Sequence, residues 1–314
     1  MATRVRAPLK NPPQETNKRM KNKYGMLLIL ISACLWGTAG IFVRGMQGNN
    51  VGEMQIVLAR ALFSSLILGV VILFKDKTLF KIRLKDIWIF ACTGIFSIVM
   101  FNFCYYKTME LSTLSIAAVL LYTAPFFVAA MSAVIFKERL TLQKCIACAC
   151  AFVGCCFVSG AFSSAQKISG ECLIYGLLTG FGYSLYTIFG NILLKRGYNS
   201  ITITFYTFVF ALLGCVFFVE PVDTVSVLIN GKTLIIAVLM ALTNTVIPYI
   251  CYTNGLKTVE PSRAPIIATV EPVMATVVGV IVYNEKLTLH GVIGILLVLG
   301  SVMILNIERD KDGN

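Results

Sequence analysis

PFFVAAMSAVIFKERLTL, residues 125–142, and PVMATVVGVIVYNEKLTL, residues 272–289, are two versions of one string set 147 residues apart. Each opens on a proline, runs through apolar residues and closes on Glu-[Arg/Lys]-Leu-Thr-Leu, at Glu138 to Leu142 and Glu285 to Leu289. The register continues outward without a gap: Tyr105 meets Tyr252, Ser115 meets Ser262, Ala117 meets Ala264, Phe42 meets Phe189, and Trp36 meets Tyr183. A single matching pair is unremarkable in apolar text. A proline, an acid, a base and Leu-Thr-Leu matching together mark an internal repeat.

The text around these strings is too apolar for a water-soluble chain. Of 314 residues 57% are hydrophobic and 13% charged, about half the charged fraction usual in a soluble domain. The apolar residues fall into ten segments, 24–46, 53–74, 86–107, 112–136, 141–161, 168–190, 200–219, 233–255, 261–283 and 287–307. Each is near the roughly 20 residues that a helix needs to cross a bilayer core. They are continuous, where the strands of a barrel alternate polar and apolar. The expected fold is therefore an all-α membrane protein of ten transmembrane helices. The repeat holds five of them, at 24–163 and again at 168–307, between a basic tail, 1–23, and a short tail, 308–314.

An odd number of crossings per repeat means that the second copy enters the membrane from the opposite side. The charges give the orientation, because Lys and Arg collect in cytoplasmic loops. With the N-terminus inside, 21 Lys and Arg fall on the cytoplasmic side and five (Arg44, Lys107, Lys167, Lys232 and Lys286) on the other, while Arg60 stands within the second span. Both termini are expected in the cytoplasm. Two inverted halves can exchange shapes at similar energy, which is the physical basis of alternating access, so the pattern favours a transporter over a receptor or an enzyme.

The Trp36-Gly37 pair, Arg60 and the two Pro-x(12)-Glu-[Arg/Lys]-Leu-Thr-Leu strings resemble the EamA-type transporters of the drug/metabolite transporter superfamily, over nearly the whole chain. The resemblance implies a ten-helix inverted-repeat carrier in the plasma membrane that exports or exchanges a small metabolite held between its halves. In one respect the halves differ: Ala124 precedes the first proline and Glu271 the second.

Glu271 is the sharpest candidate for chemistry, since an ionised acid in mid-membrane costs at least about 2.5 kcal/mol and so lines a cavity, pairs or stays protonated. It could take up a proton during transport or bind a substrate ammonium; alternatively, it satisfies groups freed by Pro272. Trp36, Tyr122, Tyr183, Tyr252, Asn102 and Asn244 offer polar tips inside spans, either to substrate or to other helices. Pro125, Pro248 and Pro272 each remove a helix hydrogen bond, as hinges or as tolerated kinks. Arg60 is read as a structural charge that snorkels, pairs with Glu53 or meets an anionic group. Gly176, Gly180, Gly182, Ser184, Gly291 and Gly294 read as close helix contacts.

The eleven Cys lie mostly in apolar text, and the Cys145, Cys148, Cys150 cluster has no polar partner nearby, so neither disulfides nor a metal site are expected. No cofactor is expected. The net charge of +12 has no basic helix or aromatic groove with it, which argues against nucleic acid. There is no Gly-x(4)-Gly-Lys-[Ser/Thr] phosphate loop, and one histidine, His290, without paired intramembrane acids is too little for a membrane transferase or protease. The expected function is a secondary active transporter of a small solute such as an amino acid, a nucleobase-like compound or a drug, with protons as a coupling partner and a monomer sufficient. A channel or a non-transporting sensor of the same fold is the alternative.

Overall fold

A computed structural model describes residues 13–161, 168–220, 224, 228 and 230–311. Most of the basic tail, Lys167 and the last three residues lie outside the described residues. Among those described, every regular element is helical. Seven segments are long and apolar enough to cross a bilayer: Met20–Gln47, Glu53–Lys75, Leu84–Leu111, Leu114–Ile135, Gly170–Lys195, Gly231–Gly255 and Ala264–Tyr283. Shorter apolar helices at Leu142–Val158, Ser200–Cys215 and Leu289–Leu305 stand where the fifth, seventh and tenth spans are expected. The fifth and seventh are 17 and 16 residues long, about 25 Å, and so shorter than the sequence predicts. The fifth ends early because Gly160, at φ +70°, turns the chain out of the helix.

The repeated string proves to be a piece of turn chemistry. Lys137 and Asn284, the matching residues before each glutamate, both take left-handed backbone, at φ 57° and 55°. The next amide in each copy reaches back to the helix just ended: Glu138 N to Ser132 O at 3.3 Å and Glu285 N to Gly279 O at 3.1 Å. Thr141 and Thr288, the threonines of Leu-Thr-Leu, then accept from Lys144 N at 3.3 Å and Gly291 N at 3.1 Å, and so cap the fifth and tenth helices.

The halves interleave. Spans 1, 2, 8 and 9 pack as one group and spans 3, 4, 6 and 7 as the other, each with two helices from each repeat. Span 2 packs on span 7, and span 5 on span 10, to join the groups. The fifth and tenth helices cross at Gly154 and Gly294, where a Cβ on Gly294 would lie 2.6 Å from the Gly154 carbonyl oxygen. Gly37 is as close, with its Cβ position 2.6 Å from the Glu271 carbonyl oxygen. Gly176, Gly180 and Gly182 likewise meet Leu120, Thr123 and Phe101. Gly291 departs from expectation: it faces only Leu287 and Thr288, next to it in the chain, because the helix crossing lies one turn further on.

Irregularities recur at matching places. Turns widen to π-helix at Cys92–Met100 in span 3 and at Ala241–Val246 in span 8, stretches that overlap under the 147-residue offset. Span 4 breaks between Leu114–Leu121 and Ala124–Ile135, and span 9 between Ala264–Ala268 and Val270–Tyr283. Span 1 also breaks, at Thr38, with no counterpart in the continuous span 6.

At the start of span 3 a buried carboxylate staples the two repeats. Asp86 accepts from Arg83 Nε and Tyr198 OH, each at 2.7 Å, and pairs with Arg196. Arg83 N also donates to Tyr198 OH at 3.0 Å. Removing the acid leaves two guanidinium groups side by side without their counter-charge. Asp86→Ala is expected to lower the thermal midpoint of the detergent-purified protein by about 5–10 °C, measured by scanning fluorimetry.

Candidate solute site

The break in span 1 and the widened turns of spans 3 and 8 adjoin a small cavity, and its walls come from four spans. Trp36 stands at the end of the first half of span 1, Ser97 in the widened turn of span 3, Tyr183, Tyr186 and Thr187 on span 6, and Tyr249 and Tyr252 on span 8. Positions 183, 186 and 187 fall on one helix face, as do 249 and 252, so the periodicity of the helix aims these rings together. The indole of Trp36 is edge-on to Tyr249, with centroids 5.3 Å apart, and 5.4 Å from Tyr252; it meets Tyr183 at 6.5 Å. Tyr186 closes the box edge-on to Tyr249 at 4.8 Å.

Two of the hydroxyls are held by the protein. Tyr186 OH bonds Thr253 Oγ1 at 2.7 Å, and Tyr252 OH bonds Thr187 Oγ1 at 2.8 Å, which joins spans 6 and 8. Among the described residues no hydrogen bond occupies the hydroxyls of Tyr183 or Tyr249 or the Trp36 indole. The box thus presents aromatic faces and a few free polar tips.

Trp36, Tyr183 and Tyr252 are therefore brought together, and the other expected residues are placed around them. Asn102 Nδ2 donates to Ile98 O at 2.7 Å, one turn back on its own helix. Asn244 Nδ2 donates to Leu35 O and to Thr38 Oγ1 at 3.0 Å, and so fills the break in span 1. Tyr122 ends the first half of span 4 and packs against the central core. Arg60 makes no ion pair with Glu53 among the described residues; its Nε donates to Thr245 Oγ1, 3.1 Å away in the widened turn of span 8.

Glu271 is the second residue of the half-helix Val270–Tyr283, where free backbone N–H groups and the helix dipole favour a carboxylate. Its carboxylate has no hydrogen-bond partner among the described residues, and its backbone carbonyl packs against Gly37, the neighbour of Trp36 in the chain. Pro125 and Pro272 stand in the first turn of their half-helices, where no partner awaits an N–H. Pro248 lies inside the unbroken span Gly231–Gly255, directly after its widened turn. Cys145 is exposed, Cys148 buried and Cys150 half-buried, so the three do not face one point.

Sequence reasoning missed Ser97, Tyr186, Thr187 and Tyr249. The repeat offset carried a signal for two of them, since Ser97 is the counterpart of Asn244 and Tyr249 of Asn102. Helix periodicity carried the rest, since Tyr186 and Thr187 share a face with Tyr183.

The sequence profile of the EamA-like transporter family matches residues 23–160 and again 170–307. The chain is 26% identical over 286 residues to an uncharacterized transporter of Archaeoglobus fulgidus, with 90% of this chain and 96% of that one covered. It is 23% identical over 294 residues to the uncharacterized inner membrane transporter YicL of Salmonella typhimurium, covering 91% and 96%. A solved crystal structure superposes with a TM-score of 0.75 at 14% identity, covering 91% of this chain and 98% of the other, a likeness of fold.

Proposed function

Because the chain belongs to the EamA-like transporter family, and is thus a multi-pass transporter of the cell membrane, we propose that it is a secondary carrier for a small amphipathic solute with a flat ring. The single observation that carries this reading is the aromatic box of Trp36, Tyr183, Tyr186, Tyr249 and Tyr252 at the meeting of spans 1, 6 and 8. Such walls reward a planar group by stacking and a cationic one by its attraction to ring faces. Amino acids, nucleobase-like compounds and drugs with a ring all satisfy them. Glu271 adds a charge beside the box that attracts an amine and can exchange a proton, so the solute moves outward against protons.

In this reading the termini face the cytoplasm, a monomer suffices, and no nucleic acid is bound. The two interleaved four-helix groups rock about the box, exposing it to one side at a time. The closely packed box, with room for little beyond its own side chains, favours a carrier over an open channel.

Counterflow in proteoliposomes tests the reading. A panel of ring-bearing metabolites, first ranked by the thermal shift each gives the purified protein, should include one that shows saturable, trans-stimulated exchange. A channel would not saturate in this way, and a sensor would move nothing. Trp36→Ala is expected to raise the half-saturating concentration of that solute about tenfold by removing one stacking face. An unchanged value would place the solute elsewhere.

A further inference from the structure

The two ends of the pathway differ in a way that the repeat makes measurable. The stretch leading into span 9 is closed: Pro261 is buried and Ser262 is 1% exposed. At the matching place before span 4, on the opposite face of the protein, Leu114 is 58% exposed and Ser115 half-buried. The short helix Ala264–Ala268 packs on the Ala124–Ile135 and Leu142–Val158 helices of the other repeat. Its counterpart Leu114–Leu121 makes no comparable packing on Val270–Tyr283 or Leu289–Lys311 among the described residues.

The repeated glutamates follow the same division. At the closed end Glu138, which follows span 4, accepts from the backbone N–H of Ser262, which precedes span 9, at 3.3 Å. This contact joins the two four-helix groups. At the open end the symmetric contact would be Glu285 with the N–H of Ser115, and it is not made. Glu285 is held within its own group instead, by Arg44 Nη2 at 3.0 Å, and the Arg44 guanidinium lies 4.1 Å over the Tyr283 ring. A further tie at the closed end is Lys144 Nζ to Glu260 Oε2 at 2.8 Å, whose counterparts Gly291 and Thr113 carry no charge.

We propose that Glu138 and Glu285 are alternating latches, each closing one end of the pathway by accepting the backbone N–H that opens the facing half's broken helix. When Glu138 releases Ser262, the groups rock and Glu285 leaves Arg44 to take Ser115. Arg44 is the positioning residue that withholds the second latch in the present state. Given the orientation proposed above, this state is closed to the cytoplasm and open outside. The proposal rests on the alternating-access reading but not on the identity of the solute.

Hydrogen–deuterium exchange of the full chain in lipid nanodiscs, without solute, tests it separately from transport. In the unmodified protein, amides of 261–268 should exchange more slowly than those of 114–121. Glu138→Ala should speed 261–268 about tenfold and slow 114–121 in step, since one capping bond is worth roughly that factor. Arg44→Gln, on the other face, should produce the same reciprocal shift by freeing Glu285, and adding Glu285→Ala should cancel it. Faster exchange at 261–268 in Glu138→Ala with no slowing at 114–121 would mean local damage and overturn the proposal. So would an Arg44→Gln protein that leaves both segments unchanged, or a double variant that keeps the shift. Should Glu138→Ala fail to fold, the Arg44 variants decide alone. Counterflow could still succeed after such a failure, leaving the carrier without these latches.

Discussion

Glu271→Gln is expected to reduce proton-driven accumulation of solute to its equilibrium level in proteoliposomes, while the thermal midpoint of the purified protein stays within a few degrees. The residue packs against Gly37, next to Trp36 of the aromatic box, and its carboxylate has no hydrogen-bond partner among the described residues at the start of a half-helix. Glutamine keeps the length and a carbonyl oxygen that can accept from the free N–H groups of that helix end. It loses only the charge and the exchangeable proton. A role confined to capping the break before Pro272 would therefore survive the exchange, and intact uphill flux in Glu271→Gln would show that the acid is structural.

The second large effect is on folding. Gly294→Val should abolish or severely reduce monodisperse protein in size-exclusion chromatography. A branched side chain there begins at a Cβ 2.6 Å from the Gly154 carbonyl oxygen and 2.7 Å from Val158 N. Both are backbone atoms, so neither can turn aside, and the fifth and tenth helices must part. Overpacking of this kind costs about 3 kcal/mol, a large share of the stability of a typical domain. Gly300→Ala, in the same helix but facing open space, is the control and should behave as the unmodified chain does.

Much of this architecture could be read from the residues, for physical reasons. Segments near 20 apolar residues have few alternatives to membrane helices. The repeated string was legible because it spells out a left-handed turn and a threonine cap, local chemistry that survives in any context. Trp36, Tyr183 and Tyr252 stood out because the repeat sets aromatics in register there, 36 with 183 and 105 with 252, whereas Tyr186 and Tyr249 in the same spans match Ala39 and Asn102. Asn102 and Asn244 show where such reading stops: an amide in an apolar interior takes the nearest carbonyl, and which carbonyl is near depends on helix breaks that composition does not specify. Arg60 is a similar case, since its partner Thr245 lies 185 residues along the chain, brought close by packing. The widened turn of span 3 contains no proline, so nothing in its letters announced it.

The widened turns in spans 3 and 8 also bear on tolerance to changes of length. A π-turn accommodates one more residue than the α-helix around it. Both repeats carry the widening at overlapping positions, in spans 3 and 8. Deleting one residue from either bulge is expected to return that span to a plainer helix without turning the rest of the chain.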